Sequence, residues 1–418
     1  MTSEVDDETV PVAADTPKVV SGADPAVGAV PLEERIAVFL VGFAAFLPLY
    51  APQSVLPQMA ATLDATPVAA GSVIGATTLA VAIAAPVAGP LTDRFGRKRA
   101  MLAAIALLAP LTLLLTFCTD LSQLLAVRFL QGMVLPALFT GAVAYVTGRW
   151  RGATAASVMG LFVAGSAMGG FAGRFIAGLA AEAFGWQGGF AALALVSTLC
   201  APVVWRWLPA DEPHPDNGLA THIVAMFGHL RNIRICAAGL FGATVLFSMT
   251  GTLSYVGFHL AEPPFSLSPA GIGLVFLVYP IGAAIVPLNG RLLRRFGTRG
   301  ALLGALTICA TGQIALLVPH IAGIMAGIAI FITGIFLCQS LALGYVGRTA
   351  RTSQGAAAGL YVSCFYIGGS LGAVLPGFAW KSAGWTGCVL LVCMALFIGA
   401  LVSLVMREAK TQAAACSL

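Results

Sequence analysis

Residues 89–101 read GPLTDRFGRKRAM, and five ionisable side chains fall within positions 93–99 of this stretch. The rest of the chain avoids charge: only 9% of its 418 residues are charged and 59% are hydrophobic. A water-soluble domain carries roughly 25% charged residues. The composition therefore predicts a membrane protein, in which lipid covers the apolar side chains and charge is confined to the connections between helices.

Twelve segments are apolar over the length of about 20 residues that a helix needs to cross the hydrocarbon core. With the N-terminus placed in the cytoplasm, 19 of the 22 Lys and Arg residues lie in cytoplasmic tails or connections. This bias follows the positive-inside rule. We therefore expect an all-α polytopic protein with both termini cytoplasmic. The segments are 36–58, 67–91, 100–119, 121–147, 152–180, 186–205, 235–258, 269–290, 300–318, 321–346, 354–379 and 385–406.

The longest internal connection separates six segments from six and defines the expected domains. Residues 1–34 hold eight of the seventeen acidic residues and one base, without the basic and apolar regions of a signal peptide, which predicts a disordered tail. The nine cysteines form no Cys-x-x-Cys pair and are interpreted as small apolar side chains, so no metal site is expected. The expected parts are the cytoplasmic N-terminal tail 1–34, a six-helix bundle 35–207, a cytoplasmic loop 208–234, a second six-helix bundle 235–407 and a cytoplasmic C-terminal tail 408–418.

The two halves resemble each other at a spacing near 200 residues. GLFVAGSAMGGFAG at 160–173 aligns with GLYVSCFYIGGSLG at 359–372, and Gly-Trp follows each at 185–186 and 384–385. Several matches in order at one offset indicate duplicated bundles. Because each unit has an even number of spans, the copies share their orientation and are related by a pseudo-two-fold axis along the membrane normal. A substrate site is expected near the midplane between them.

The opening stretch forms the connection between the second and third spans. Gly89 is expected to permit close helix approach, Asp93 to end the second span and Gly96 to permit a tight reversal. If this segment served only to orient the protein in the membrane, its bases would be explained but Asp93 would not. A carboxylate here suits a basic side chain or the N-terminus of a nearby helix. The bases of this segment are Arg94, Arg97, Lys98 and Arg99.

These residues resemble the signature loop of the major facilitator superfamily, G-x-x-x-D-R-x-G-R-[RK], at Gly89, Asp93, Arg94, Gly96, Arg97 and Lys98. Leu124, Arg128, Gln131 and Gly132 are similar to the fourth-span pattern L-x-x-x-R-x-x-Q-G of that superfamily. Segment by segment, the chain looks most similar to the YnfM-type bacterial inner-membrane transporters. The resemblance implies two bundles that rock around a central site, with the bacterial inner membrane as location.

The resemblance also implies roles for single residues. In the superfamily the loop Asp holds its bundle to the start of the eleventh helix when the cytoplasmic side is closed, so Asp93 is expected to face Thr352, Ser353 and Gln354. The second copy has Arg294 at the position equivalent to Asp93, which predicts a one-sided latch.

Two arginines lie inside spans, where a charge costs at least about 2.5–3.5 kcal/mol on insertion scales. For Arg128 the resemblance implies a role in proton-linked transport, and the alternative is a structural Arg bonded to helix carbonyls. For Arg174 the first hypothesis is a role in transport, and the alternative is a structural role in which it reaches outward to Glu182. No Asp or Glu lies deep in any span, which favours an anionic or sugar-like substrate over a cationic drug.

Residues 165–170, GSAMGG, are similar to the antiporter motif G-P-x-x-G-G, with Ser166 in place of the proline. Gly132, Gly165, Gly169 and Gly170 are expected at close helix contacts. Pro48, Pro52 and Pro57 predict a broken first span that lines a cavity. The candidate cavity residues, each of which could instead be packing, are Tyr50, Gln53, Gln131, Tyr255, Asn289, Tyr361, Phe365 and Tyr366.

We expect a secondary active transporter rather than an enzyme, because all five histidines lie in or beside loops and no deep carboxylate exists. The first hypothesis is proton-coupled efflux of a small organic molecule, driven by the proton gradient without a cofactor. The alternative is an uptake permease for a small organic anion. A membrane sensor or enzyme is a third possibility, with little in the short loops to support it. The expected partners are a small-molecule substrate and the lipid bilayer, with no nucleic acid, and the expected state is a monomer.

Overall fold

The computed structural model describes residues 30–211, 218–285, 289–350 and 352–407, and within these ranges every regular element is helical. Most of the predicted N-terminal tail and all of the predicted C-terminal tail, 408–418, lie outside the described residues. Seven helices in the described ranges are long and apolar enough to cross a membrane: Pro67–Phe95, Arg97–Phe117, Leu121–Arg149, Gly152–Trp207, Ile233–Ala261, Ile321–Thr349 and Gln354–Ser403.

Two of these seven helices each contain two spans, because the backbone turns sharply inside them. Gly152–Trp207 breaks at Gly185, whose φ is 69°, and Gln354–Ser403 breaks at Gly384, whose φ is 59°. Glycine adopts a positive φ without the steric cost that a β-carbon imposes. The seven helices therefore supply spans 2 to 7 and 10 to 12.

The remaining three spans are spans 1, 8 and 9, and the first two of these are interrupted. Span 1 consists of Leu32–Phe46, the 3₁₀ turn Ala51–Ser54 and Leu56–Thr62. The predicted break in span 1 is thus confirmed, since prolines remove helix hydrogen bonds and disfavour a continuous helix. Span 8 consists of Pro269–Val275, a 3₁₀ turn and Tyr279–Ile285, and span 9 is the part of Asn289–Ala315 that follows a bend at Gly297.

The twelve spans form the predicted two six-helix bundles, spans 1–6 and 7–12. We call the end that carries residues 89–101 and the connection between the bundles the loop end, and the opposite end the far end. The connection contains one further helix among its described residues, Leu219–Gly228, called the loop helix.

In both bundles, glycines of one span pack closely against the backbone of another span. A β-carbon at Gly169 or Gly173 of span 5 would overlap the carbonyl oxygens of Phe43 or Leu47 in span 1. The equivalent glycines of span 11, Gly368 and Gly372, have the same relation to the carbonyl oxygens of Ala243 and Phe247 in span 7. The shared offset confirms the internal repeat at the level of packing.

Candidate functional site

The signature loop makes its contacts within the first bundle. Gly96 has a φ of 87°, which confirms the predicted tight reversal between spans 2 and 3. The Asp93 carboxylate accepts a hydrogen bond from Arg97 Nε at 2.8 Å. Arg97 Nη1 also donates to the carbonyl of Ala144 in span 4 at 2.8 Å, across the surface left free by Gly148. Arg97 therefore ties spans 2 and 4 together.

Sequence reasoning missed Asp211, which completes this site. Its two carboxylate oxygens accept hydrogen bonds from the backbone N–H groups of Arg97 and Lys98, each at 2.9 Å. These N–H groups belong to the first turn of span 3, where a helix has no internal acceptors. Asp211 therefore caps span 3 from the connection that follows span 6. The only sequence signal was an acid directly after the last apolar segment of the bundle.

The loop helix lies between the two bundles at the loop end. The His222 ring faces span 11, since a β-carbon at Gly355 or Gly359 would lie 3.7 or 3.9 Å from it. Burial lowers the pKa of His222 below its ordinary value, and the nearby Asp93 opposes this shift. His222 is thus placed between the signature loop and the beginning of span 11.

The predicted contact between Asp93 and the beginning of span 11 is not made between the described residues of this conformation. Ser353 precedes span 11 with a φ of 47° and makes no side-chain capping hydrogen bond there, and Gln354 donates to the carbonyl of Gly347 at 3.3 Å. The expectation for Gly89 was wrong for this conformation: a β-carbon at this residue would meet no described atom within 4 Å. Gly89 lies on a face of span 2 that no described helix covers.

Arg128 is fully buried and donates hydrogen bonds to backbone carbonyls at the break in span 1. Its guanidinium donates to the carbonyls of Pro48 at 2.9 Å and Leu49 at 2.6 Å, where span 1 loses its helical hydrogen bonds. It also donates to Val73 O at 3.3 Å and to Gln131 Oε1 at 2.8 Å. This arrangement matches the alternative given for Arg128 in the sequence analysis, a structural arginine bonded to helix carbonyls. Gln131 lies inside the first bundle and not at the interface between bundles.

Arg174 is also fully buried, at the interface of the two bundles. Its Nε donates to Gln53 Oε1 at 2.8 Å and its Nη1 donates to the carbonyl of Gly170, whereas Nη2 has no hydrogen-bond partner among the described residues. Three aromatic rings surround the guanidinium, at 5.3, 4.9 and 4.7 Å from its central carbon to the ring centroids: they belong to Tyr50, Phe276 and Tyr279. We call these rings the Arg174 cage.

The alternative in which Arg174 reaches Glu182 is wrong in this conformation, because Glu182 accepts a hydrogen bond from Ser268 at 3.0 Å instead. Phe276 and Tyr279 of span 8 were missed by sequence reasoning. The space for them depends on Gly170, since a β-carbon there would lie 3.3 Å from the Tyr279 ring.

The other candidate cavity residues fall into two groups. Phe365 and Tyr366 pack edge to face at 5.5 Å, and the Tyr366 ring stacks on Phe139 of the first bundle at 6.2 Å. Tyr361 stacks on Phe365, and its hydroxyl has no partner within the described part of the chain. The second group lies away from Arg174. Tyr255 donates to the carbonyls of Ala373 and Pro67 near the far end, and Asn289 is the first residue of Asn289–Ala315, before the bend that precedes span 9.

The far end is closed by contacts between the bundles. A β-carbon at Gly71 of span 2 would overlap the carbonyl of Ala373 in span 11, and one at Gly178 of span 5 would overlap that of Pro269 in span 8. Four hydrogen bonds between described residues join the bundles on this side of the midplane: Gln53 Nε2 to Ser254 Oγ at 3.1 Å, Ser370 Oγ to Gly75 O at 3.0 Å, Ser268 Oγ to Glu182 Oε2 at 3.0 Å and the Tyr255 hydroxyl to Pro67 O at 3.3 Å.

Comparison with known proteins agrees with this architecture. The chain is 29% identical over 369 residues to the inner membrane transport protein YnfM of Escherichia coli, covering 88% of both chains. It is 28% identical to the uncharacterized MFS-type transporter YybF of Bacillus subtilis, covering 87% of this chain and 90% of that protein.

Solved structures share the fold at low identity. A bacterial homolog of the human lysosomal transporter Spinster, in an inward-facing and occupied conformation, superposes with a TM-score of 0.72 at 16% identity, covering 90% of this chain and 98% of that one. A mutant of the nucleoside transporter NupG also superposes with a TM-score of 0.72, at 13% identity, covering 90% of this chain and all of that one. The family model of the Major Facilitator Superfamily matches residues 38–373. This chain, with its duplicated six-helix bundles and signature loop, belongs to the Major Facilitator Superfamily.

Proposed function

We propose that this protein is a secondary active transporter that works by alternating access and exports a small organic molecule in exchange for protons. The transporter function follows from the family. The direction, the coupling to protons and the substrate are the further steps of the proposal.

The main support for an alternating-access mechanism is that contacts between the bundles are concentrated at one end of the molecule. Hydrogen bonds and glycine contacts close the far end, whereas at the loop end Asp93 is bonded to Arg97 of its own bundle and Gly89 faces open space. With the loop end in the cytoplasm, this is an inward-facing form. The likeness to the inward-facing Spinster homolog agrees with it. The opposite form would release the far end and bring Asp93 to the uncapped beginning of span 11.

The orientation in the proposal follows the distribution of Lys and Arg, which puts the loop end and both termini in the cytoplasm of a bacterial cell. We propose the inner membrane as the location and a monomer as the working unit, because the central site is built from the two bundles of one chain. Proton-driven efflux is supported by the likeness of residues 165–170 to the antiporter motif, and uptake of an organic anion is the alternative.

A reversible cross-link at the far end tests alternating access. Glu182→Cys and Ser268→Cys together place two thiols where a 3.0 Å hydrogen bond now joins the bundles. Oxidation should form a disulfide that stops transport, and a reductant should restore it. The Ser268→Cys variant alone is the control. Full transport by the cross-linked protein would contradict the mechanism.

Asp93→Asn tests the latch at the loop end. The Asp93 side chain is 36% exposed, and an exposed ion pair contributes about 0–1 kcal/mol, so insertion and melting temperature should change little. Transport should fall sharply, because the neutral amide binds a helix N-terminus less strongly than a carboxylate does. Asp120→Asn, at the cap of span 4 on the far end, is the matched control. Normal flux through Asp93→Asn would refute the latch.

Direction is tested by substrate-driven pH changes in everted vesicles and in right-side-out cells. Export by proton exchange predicts that substrate added to energised everted vesicles moves protons out of them, so that the pH of their acidified interior rises. Proton-coupled uptake predicts alkalinisation of the medium when the same substrate is added to intact cells.

A further inference from the structure

The Arg174 guanidinium has hydrogen-bonding capacity that the described residues leave unused. An arginine carries five N–H donors in a planar fork. Nε donates to Gln53 Oε1 and Nη1 to the carbonyl of Gly170, and Nη2 has no partner within the described ranges although the side chain is fully buried. A buried N–H donor that lacks an acceptor costs free energy, and Nη2 is such a donor. The arrangement therefore fits a ligand that supplies an acceptor.

The groups around Arg174 select for a negative charge. The rings of Tyr50 and Tyr279 lie 5.3 and 4.7 Å from the central carbon of the guanidinium, and the Tyr279 side chain interacts with Arg174. Tyr366 interacts electrostatically with both tyrosines. Hydroxyls can donate to an oxyanion, and these three come from spans 1, 8 and 11 of both bundles. Among the described residues, no Asp or Glu lies inside a span away from its ends, so no carboxylate of these residues competes for the guanidinium.

The wall on the loop-end side of this cluster is aromatic. Phe46 packs on Phe139 at 5.1 Å, Phe139 stacks on Tyr366 at 6.2 Å with nearly parallel rings, and Phe365 packs edge to face on Tyr366. Phe46 and Phe139 are only partly buried. An aromatic surface next to a cationic group complements a ligand with a flat apolar body and one charged end.

We propose that Arg174, with the hydroxyls of Tyr50, Tyr279 and Tyr366, binds the carboxylate of a small aromatic acid, whose ring lies against Phe46 and Phe139. This inference rests on the proposed transport function and assigns its substrate class. Gln53 positions Arg174 and also bonds to Ser254 of the second bundle. Ligand binding at Arg174 is thereby connected to the contacts that close the far end.

The test uses the purified full-length protein with benzoate and phenylacetate as probes and their neutral amides as matched controls. Binding is measured by calorimetry and by the rise in melting temperature with probe concentration. The carboxylates should bind and the amides should not. Arg174→Gln should weaken carboxylate binding by about 10- to 100-fold, the effect of losing one hydrogen bond to a charged group.

Two conservative variants keep the test informative if Arg174→Gln does not fold. Arg174→Lys retains the charge and should retain weakened binding, whereas Tyr366→Phe retains the ring and should weaken carboxylate binding severalfold without changing the melting temperature of the free protein. Equal binding of acids and amides, absence of binding by both acids, or wild-type affinity in both Arg174 variants would each overturn the site. The disulfide test with Glu182→Cys and Ser268→Cys does not depend on these probes. If the disulfide stops transport but the probes do not bind, the proposed substrate class is wrong and the alternating-access mechanism stands.

Discussion

Replacing Arg128 with lysine should destabilise the first bundle, because the lysine cannot repeat the contacts that span the break in span 1. Arg128 makes four hydrogen bonds, of 2.6 to 3.3 Å, to three backbone carbonyls and Gln131. A single ammonium nitrogen cannot reach the positions of three separate guanidinium nitrogens. The variant keeps the charge, so the comparison isolates geometry.

The size of the effect follows from the hydrogen bonds lost. If lysine keeps two of the four, two hydrogen bonds to a charged group disappear, at about 1.5–3 kcal/mol each. The loss is then about 3–6 kcal/mol. With a shift of about 2–4 °C per kcal/mol for a domain of this size, the melting temperature should fall by at least about 6 °C.

The measurement is thermal unfolding of the purified protein in detergent, followed by transport at a temperature where the variant stays folded. Arg206→Lys at the exposed end of span 6 is the matched control and should melt like the wild type. Folded Arg128→Lys protein should still transport. A variant that melts within about 2 °C of the wild type but has lost proton coupling would show that Arg128 acts in transport and not as a brace.

Three further predictions concern packing, capping and pH. Gly169→Ala should destabilise the protein by about 1–3 kcal/mol in thermal unfolding through overlap with span 1, whereas Gly160→Ala on the same span, where a β-carbon meets no described atom within 4 Å, should be neutral or stabilising by up to about 1 kcal/mol. Asp211→Ala should cost about 0.5–2 kcal/mol through loss of the cap on span 3, with a smaller loss for Asp211→Asn; equal melting of wild type and both variants would contradict this role. Because burial lowers the pKa of His222 below 6.5, the docked loop helix favours the neutral ring, so its docking should be firm above pH 6.5 and weaken as the pH falls. Proteolysis within residues 208–234 should accordingly increase between about pH 7.5 and about pH 5.5, and the wild-type pH dependence persisting in His222→Gln would refute the assignment.

The fold could be predicted from the sequence because each span carries its own signal. Apolar length, the distribution of bases and the repeat at one offset are local or periodic features. Gly185 and Gly384, which the repeat places at equivalent positions, lie at the breaks between spans 5 and 6 and between spans 11 and 12. The broken first span was equally accessible, since prolines disrupt a helix wherever they lie.

The site was only partly predictable, because its contacts join distant segments. Arg174, Tyr50 and Gln53 were recognised as unusual residues within spans, but the cage residues Phe276 and Tyr279 stand in an apolar run that resembles ordinary packing. The partners of Arg128 are mostly backbone carbonyls, which no side-chain pattern reveals.

Conformation explains the remaining differences. Motifs describe a protein that alternates between forms, whereas one structure holds a single form. Asp93 therefore lacks, among the described residues, the contact with the beginning of span 11 that the signature loop predicts, and Gly89 lacks a close helix neighbour.

The charge of Arg174, which has no carboxylate partner among the described residues, has an electrical consequence. A guanidinium inside the bilayer lies within the membrane potential, where moving one elementary charge through the whole field changes the energy by about 2.3 kcal/mol per 100 mV. A carboxylate bound to Arg174 would cancel that charge. The empty carrier would then respond to voltage as it reorients, the loaded carrier would respond less, and the resting potential of the cell would set which half of the cycle is slow.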